Sequence, residues 1–280
     1  GALRVTAGNG SLEKVLLIQQ APGQELAWVT LPPGPFDVTL RLLPSWEFVQ
    51  DQLAAVGVAP PERWSNDAAT RGGFVQTLPE DLPLAMAYRR EGRSVTLATA
   101  LREDGRRAVE ALLDGVDLSR LSRDAEAWWQ AYWAEVPKVV LPDPVLQEIY
   151  DYGLYKQACA TPPQGVACTL QGPFMESYQL PPWSNDYHFN INIEMIYYPA
   201  LMSGRFEHLE PLWKMIDGWK EEITRNGETF FGREGALMLP HAVDDRCKVV
   251  GNFWTGTIDH ACTAWMAQLA WLHYAYSGDR

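Results

Sequence analysis

The chain has 280 residues, of which 47% are hydrophobic and 21% charged, and its formal net charge is −12. Its 12 tryptophans, 11 tyrosines and 9 phenylalanines supply ample surface for a packed core, which excludes intrinsic disorder. The excess of acidic over basic residues, 35 against 23, argues against a nucleic acid or an anionic membrane as partner. We therefore expect a globular protein with a neutral or cationic partner.

The ends of the chain and its cysteines give less information about the function of the protein. The sequence starts with Gly1 in place of methionine and shows no signal peptide, so we interpret it as a partial or processed chain. Its location stays open, with secreted or periplasmic favoured over cytoplasmic. The four cysteines show no CxxC spacing, which leaves two interpretations, free thiols or one disulfide. No metal-binding or cofactor-binding motif is found, so we expect neither a metal nor a cofactor.

The first part of the chain, residues 1–118, has the pattern of an antiparallel β-sandwich. Apolar and polar residues alternate in Phe36–Leu42, and Ser94–Leu101 is similarly rich in β-forming residues. Turn signals lie between such segments, at 32–34, 60–61 and 72–73. We expect this sandwich domain to be incomplete.

A helical linker is predicted over residues 119–142, because the hydrophobic period changes after Gly115. Ser122 is a suitable N-cap, and Pro137 follows the predicted helix. An apolar stripe follows at helical spacing: Ala125, Trp128, Trp129, Tyr132 and Trp133. Packing is the simpler role for this stripe, and sugar stacking is the alternative.

Residues 143–280 are predicted to form helical hairpins. Asp143 and Pro144 fit the cap and first position of a helix that ends before Pro162. Three further helices are expected at 192–203, 206–226 and 256–277. The face predicted for the first helix is Val145, Leu146, Ile149, Tyr150 and Leu154, and that for the last is Ile258, Cys262, Trp265, Leu269, Leu272 and Tyr276, with Gly278 as the stop.

The loop before the second of these helices, residues 167–192, is where binding residues are expected. It combines prolines, aromatic rings and polar groups, as functional loops often do. Trp183 and His188 are candidates for sugar contact, although a core tryptophan and a structural histidine are the plainer interpretations. His241 lies in a second loop, 240–245, that would line the same cleft if it is not simply structural.

Two asparagines in this loop are the candidates for catalysis. Asn190 and Asn192 are two residues apart, so in extended backbone both side chains project to the same side. Such a pair can orient a water molecule but cannot take its proton, so a carboxylate is needed beyond it. The alternative is that both asparagines are helix caps.

An ordered series of motifs resembles glycoside hydrolase family 95, the inverting α-L-fucosidases. The resemblance covers roughly residues 85–280 and is strongest at 167–212. Its main motifs are Leu170-Gln171-Gly172, Pro181-Pro182-Trp183, Asp186-Tyr187-His188, Asn190-Ile191-Asn192, Pro199-Ala200 and Glu210-Pro211-Leu212. Glu194, Ile196 and Leu201 depart from the usual Gln, Asn and Glu of that family, which bears on its specificity for fucose.

The resemblance implies a β-sandwich, a linker helix and part of an (α/α)6 barrel. It also implies that Asn190 and Asn192 position the attacking water and that His188 contacts the sugar. We place Trp183 and His241 with His188 as the candidate sugar-binding residues. The general acid of the family would lie beyond Arg280, so we expect these residues alone to be inactive. If an acid lies within the chain, the candidates are Glu176, Asp186, Glu194 and Asp259.

We therefore expect a glycosidase that hydrolyses terminal α-L-fucosides, or a related α-L-galactoside, with inversion. Its partner would be an oligosaccharide or glycan. Two alternatives stay open: another six-hairpin glycosidase or phosphorylase, and a non-catalytic carbohydrate-binding relative.

Overall fold

The structure is a computed structural model, and the residues that it describes form two compact units. One unit contains the described residues up to 131 together with 179–180, and the other contains the remainder. The described residues are 2–6, 13–20, 25–31, 42–175, 179–250, 259 and 261–279. The strand predicted at Phe36–Leu42 lies outside this set except for Leu42.

Strands in the first unit form one antiparallel sheet, within the parts of the chain that are described. Its seven strands lie in the order β1-β2-β3-β7-β6-β5-β4. Their bounds are β1 Ala2–Thr6, β2 Glu13–Gln20, β3 Leu26–Thr30, β4 Glu62–Ser65, β5 Arg71–Gln76, β6 Leu84–Glu91 and β7 Ser94–Leu101. The strand predicted at 94–101 is confirmed at both ends.

Two helices also lie in this unit, α1 (Trp46–Ala55) and α2 (Gly105–Gly115), so the expectation of strands alone up to residue 118 is wrong at these places. No residue of α1 is buried, and a helix without a buried face leaves little periodic signal in the sequence. By contrast, α2 buries Val109 and Leu113 completely.

Small residues let α2 lie close to the sheet. Ala85 pairs with Ala100, and Ala87 pairs with Ala98, so that β6 and β7 present a flat patch of four buried alanines. Val109 and Leu113 belong to the same hydrophobic cluster as this patch. A Cβ added to Gly105 would meet the Cβ of Ala85 at 2.9 Å, which shows how closely the helix begins against the strand.

Gly72 and Gly73 are not a turn, contrary to the prediction, because both lie inside β5. Their function is steric. A Cβ added to Gly73 would lie 2.4 Å from the indole of Trp64 on the neighbouring strand, so the absent side chain makes room for that ring.

The predicted linker helix is present as α3, Leu118–Glu135. It begins four residues before the predicted cap, because Asp117 and not Ser122 caps it: the Asp117 carboxylate accepts hydrogen bonds from the backbone N–H groups of Ser119 and Arg120. Tyr132 is buried, whereas Trp133 is 37% exposed, so the aromatic stripe is packed only in part.

The second unit is mainly helical. Its elements are α4 Pro144–Ala160, β8 Tyr187–His188, α5 Asn192–Met202, α6 Glu210–Gly218, α7 Lys220–Phe231, β9 Ala242–Val243 and α8 Ala261–Ser277, with 3-10 turns at Pro182–Asn185 and Phe206–Leu209. The predicted order of an antiparallel sheet followed by helices is therefore confirmed.

Several helix boundaries follow the predicted signals. Asp143 caps α4 through a hydrogen bond from the N–H of Val145, as expected. Gly278 ends α8 with a left-handed φ of 73°, and its N–H donates to the carbonyl of Tyr274. The prediction of one continuous helix at 206–226 is wrong. The structure has two helices here, α6 and α7, which are divided at Trp219, and α7 continues to Phe231.

The predicted apolar faces are packed unevenly. On α4, Leu154 is buried, but Val145 and Ile149 are exposed. On α8, Cys262 and Leu269 are buried together with Met266, which the predicted face does not include, whereas Tyr276 is exposed. Ile258 lies outside the described residues.

The core of the second unit surrounds α5. Phe189, Ile193, Tyr197, Leu209 and Leu212 are fully buried in one hydrophobic cluster. All four cysteines are free thiols, three of them buried, which favours the first of the two interpretations of the cysteines. Among the helices that the structure describes, none is long and apolar enough to span a membrane.

Candidate functional site

A short ribbon brings the two predicted loops together. Strands β8 and β9 pair antiparallel, with His188 opposite Ala242, and the N–H of Phe189 donates to the carbonyl of His241 at 2.7 Å. As a result, the rings of His188 and His241 lie 5.9 Å apart in an edge-to-face arrangement. The expectation that 240–245 lies beside the 167–192 loop is thus met at these two histidines.

An acid accompanies the first histidine. The Nε2 atom of His188 lies 2.5 Å from Oδ1 of Asp186, and both side chains are less than one tenth exposed. Burial raises the pKa of Asp186, while the charge of His188 and its contact oppose that rise. The contact fixes the orientation of the imidazole ring, as a carboxylate beside a functional histidine commonly does.

A second acid accompanies His241. Its Nδ1 lies 3.1 Å from Oδ2 of Asp259, and the other oxygen of Asp259 accepts a hydrogen bond from the N–H of Ala261 at the start of α8. The sequence alone makes Asp259 only a reserve candidate for the acid. The structure gives it a partner, which the separation of 18 residues along the chain hides from sequence reasoning.

Trp183 is exposed over 65% of its surface, so the interpretation of this residue as a core tryptophan is wrong. Its ring lies 6.0 Å from that of His188, edge to face. Trp183, His188 and His241 therefore form one continuous row of rings, which we call the aromatic row.

The turn that carries Trp183 is left-handed over three consecutive residues, with φ of 54°, 57° and 51° at Trp183, Ser184 and Asn185. Residues with a Cβ disfavour this region by about 1–2 kcal/mol each, so other contacts must hold the turn. The side-chain oxygen of Asn185 supplies them, since it accepts hydrogen bonds from Thr169 Oγ1 at 2.9 Å and from the N–H of Gln171 at 2.8 Å.

The two candidate catalytic asparagines lie at the entry to α5. Asn192 is the first residue of the helix, and both side chains are half-buried. The cap position is occupied by Ile191, and Oδ1 of Asn190 is buried with no hydrogen-bond partner among the described residues. No hydrogen bond therefore supports the alternative role of Asn190 as a helix cap.

Glu194 is the residue whose importance sequence reasoning misses, since the sequence marks it only as a departure from a pattern and a reserve acid. It is 1% exposed, and neither carboxyl oxygen has a hydrogen-bond partner among the described residues. Burial raises the pKa of Glu194 to about 7, and the charge of Asp259 acts in the same direction. A signal was available, because Glu194 shares the helical face of Tyr197 and Leu201, both buried.

Aromatic, imidazole, amide and carboxyl groups thus lie close to the start of α5, a combination that offers a flat apolar ring and several hydrogen-bonding groups to a ligand. The family model for the glycosyl hydrolase family 95 catalytic domain matches residues 99–280, well over half of the chain. The chain therefore belongs to glycoside hydrolase family 95.

Two curated relatives agree with this assignment. The chain is 31% identical over 140 residues to "Probable alpha-fucosidase A" of Aspergillus niger, a match that covers 49% of the chain and 18% of that protein. It is 29% identical over 147 residues to "Alpha-L-fucosidase 2" of Arabidopsis thaliana, which covers 49% of the chain and 16% of that protein. The chain thus spans less than a fifth of either relative in these matches.

Proposed function

We propose that this protein is a glycosidase that hydrolyses terminal α-L-fucosides, or closely related α-L-galactosides, with inversion at the anomeric carbon. The observation that carries the proposal is the aromatic row beside Asn190 and Asn192, inside the region that matches the family. The names of the two relatives support fucose as the first sugar to test.

Recognition of the sugar is assigned to the aromatic row. The exposed indole of Trp183 offers a flat apolar surface on which the C–H face of a sugar ring can stack. His188 contacts a carboxylate through Nε2, and its other ring nitrogen is the one assigned to a hydroxyl group of the sugar. His241 lies beside His188 in the same row, with its Nδ1 against Asp259. This assignment makes Trp183, His188 and His241 the substrate-binding residues.

Catalysis is assigned to water held by Asn190 and Asn192. Inversion needs one acid for the leaving oxygen and one base-assisted water on the opposite face, with carboxyl groups about 6.5–9.5 Å apart. Two of the candidate acids, Asp186 and Asp259, contact a histidine, and the candidate Glu176 lies outside the described residues. We keep the Asn pair as the water-positioning group and leave the leaving-group acid unassigned.

The architecture proposed with this function is a β-sandwich followed by a linker helix and part of an (α/α)6 barrel. Its boundaries are those expected from the sequence, at 118 and 142. The seven-stranded antiparallel sheet supports a β domain as the first part, and the packing of α5 and α8 around a common core supports a helical domain after it.

The test is a panel of aryl glycosides offered to the full-length protein, with the product anomer followed by proton NMR from the first turnovers. We expect release from the α-L-fucoside, or from the α-L-galactoside, and the β anomer as first product. An α anomer would reject inversion. Turnover of other sugars alone would indicate a different six-hairpin glycosidase, phosphate-dependent turnover a phosphorylase, and sugar binding without turnover a binding protein.

A further inference from the structure

Glu194 is a buried acid that the proposed mechanism does not use. It occupies the third position of α5, between the fully buried Ile193 and the core around Tyr197. Glutamate at this position often turns back to bond the backbone at the cap, but here neither oxygen makes such a bond among the described residues. A carboxylate ion without a partner is expensive to bury, so the protein must hold this group in another form or satisfy it with another donor.

The charges around Glu194 favour the neutral form. The elements packed on α5 are β8, the 3-10 turn at Phe206–Leu209 and α8 with the residues before it. The titratable groups described in these elements are Tyr187, His188, Glu207, His208, Asp259, Cys262, His273, Tyr274 and Tyr276. His188 contacts Asp186, His208 contacts Thr161, and His273 accepts a hydrogen bond from Trp213. Among the described residues, none of these three histidines forms an ion pair with Glu194.

Asp259 is the charged neighbour that raises the pKa of Glu194 further. It is 30% exposed, contacts His241 and accepts a hydrogen bond from the backbone N–H of Ala261. The carboxyl oxygens of Glu194 have no hydrogen-bond partner among the described residues. The negative charge of Asp259 also disfavours a negative charge on Glu194. Burial without a partner therefore favours the protonated form of Glu194, which has one O–H donor.

A matching acceptor lies four residues earlier in the chain. Oδ1 of Asn190 is buried and has no donor among the described residues, and Asn190 precedes the cap of the helix that carries Glu194. We propose that Glu194 is a positioning residue of the site, whose protonated carboxyl donates to Oδ1 of Asn190 and fixes the orientation of that amide. The inference rests on the proposed function, because it assigns a purpose to the orientation of Asn190.

The orientation of the Asn190 amide gives the two asparagines different roles toward the attacking water. With its oxygen held by Glu194, Asn190 presents its Nδ2–H to the oxygen of the attacking water, while Oδ1 of Asn192 accepts a hydrogen from that water. Glu194 keeps its proton throughout the turnover and is not the base. A neutral amide at position 194 serves the same purpose, whereas a side chain without a donor does not.

The experiment compares Glu194→Gln with Glu194→Met in the full-length enzyme, on the aryl glycoside that the panel identifies. Glu194→Gln should retain most of the wild-type kcat, because its amide still donates. Glu194→Met, which has similar size and no donor, should lower kcat by roughly 100-fold with little change in KM, since a slightly misplaced group costs about that much. Circular dichroism checks that both variants fold.

A second readout does not depend on activity. The infrared difference between wild type and Glu194→Gln at slightly acidic pH should contain the carbonyl band of a protonated carboxyl, and Asn190→Ala should shift that band. Glu221→Gln, which changes an exposed acid of α7, should show no such band. If the panel shows no hydrolysis, the proposed function fails, and the infrared result still decides the inference.

Three results would overturn the inference. Glu194→Gln that is as slow as Glu194→Met would mean that an ionised carboxylate is needed. Full activity of a folded Glu194→Met would mean that Glu194 positions nothing. A missing carboxyl band, or one that Asn190→Ala leaves in place, would exclude the contact with Asn190.

Discussion

The Nε2 atom of His188 lies 2.5 Å from Oδ1 of Asp186, and both groups are almost completely buried beside the exposed ring of Trp183. Asp186→Asn keeps the shape of the acid but removes its charge. We expect it to lower kcat/KM by up to roughly 100-fold, because an imidazole that loses its charged partner is displaced, and a slightly misplaced group costs about that much. Asp245→Asn, at an acid whose side chain is 70% exposed, is the control and should have little effect.

Replacing the residue proposed to position water and a residue proposed to contact the sugar should give different kinetic signatures. Asn192→Ala should lower kcat by roughly 100-fold or more while KM changes little, because water is positioned chiefly in the transition state. His188→Ala should mainly raise KM. Steady-state kinetics on the preferred aryl glycoside measure both, and a normal kcat in a folded Asn192→Ala would return that residue to a structural role.

Two substitutions at Asn185 can separate two contributions to the left-handed turn at Trp183: the hydrogen bonds that Asn185 accepts, and the strain of its backbone. Asn185→Ala and Asn185→Gly both remove the acceptor for Thr169 and Gln171, but glycine tolerates the left-handed region. If the acceptor holds the turn, both variants should raise KM, roughly tenfold for an unpaired donor that costs about 1–3 kcal/mol.

Asn185→Asp retains the oxygen and should behave nearly as wild type. A normal KM for the glycine variant would show that strain alone matters at this position.

Local signals explain most of what the sequence predicted. The ends of β7, the cap at Asp143 and the stop at Gly278 each depend on residues within a few positions of the element. The burial of Glu194 depends on α8, more than 60 residues further along the chain, and no local pattern contains that information. The same is true of the contact between His241 and Asp259.

The candidate site likewise has features that the sequence predicted and features that it did not. The loop composition indicated Trp183, His188, Asn190 and Asn192, because polar and aromatic residues in an irregular segment stand out against helices. It did not show that Trp183 is exposed or that Asp186 and His188 are paired, since both depend on how the turn is held.

His208 should make the stability of the helical unit depend on pH. It is 1% exposed, and burial lowers its pKa below the usual value near 6.5. The unfolded chain therefore binds more protons than the folded one between the two pKa values, so the free energy of unfolding should fall as pH drops below about 6.5. Urea unfolding of the wild type and of His208→Gln, followed across this range, measures the difference.

Glu194 acts in the opposite direction, because its raised pKa means that the folded state binds the extra proton. Its neutral form is favourable below the unfolded pKa, and the free energy of unfolding falls as pH rises from about 4.5 toward about 7. Glu194→Gln removes this slope and so isolates the contribution of His208. A slope that is the same in wild type and in His208→Gln would show that His208 is not held neutral.

Two helical glycines in the second unit should respond to alanine with opposite signs. Alanine normally stabilises a helix interior relative to glycine by about 1 kcal/mol. At Gly153 in α4, an added Cβ would have no neighbour within 4 Å among the described residues, so Gly153→Ala should raise the free energy of unfolding by about 1 kcal/mol. At Gly227 in α7, the added Cβ would lie 2.3 Å from the backbone oxygen of Ala236, which cannot move without displacing the following segment.

Gly227→Ala should therefore destabilise the protein by about 1–3 kcal/mol, the usual range for overpacking, in spite of the better helix propensity of alanine. The reason lies in Met238 and Leu239, which follow Ala236 and are buried, so the segment that carries them is not free to shift. Denaturant unfolding of both variants at neutral pH gives the comparison directly. If both alanine variants are more stable than the wild type, the backbone at Ala236 moves aside at little cost. If both are less stable, the methyl group added at Gly153 is in unfavourable contact with another part of the protein.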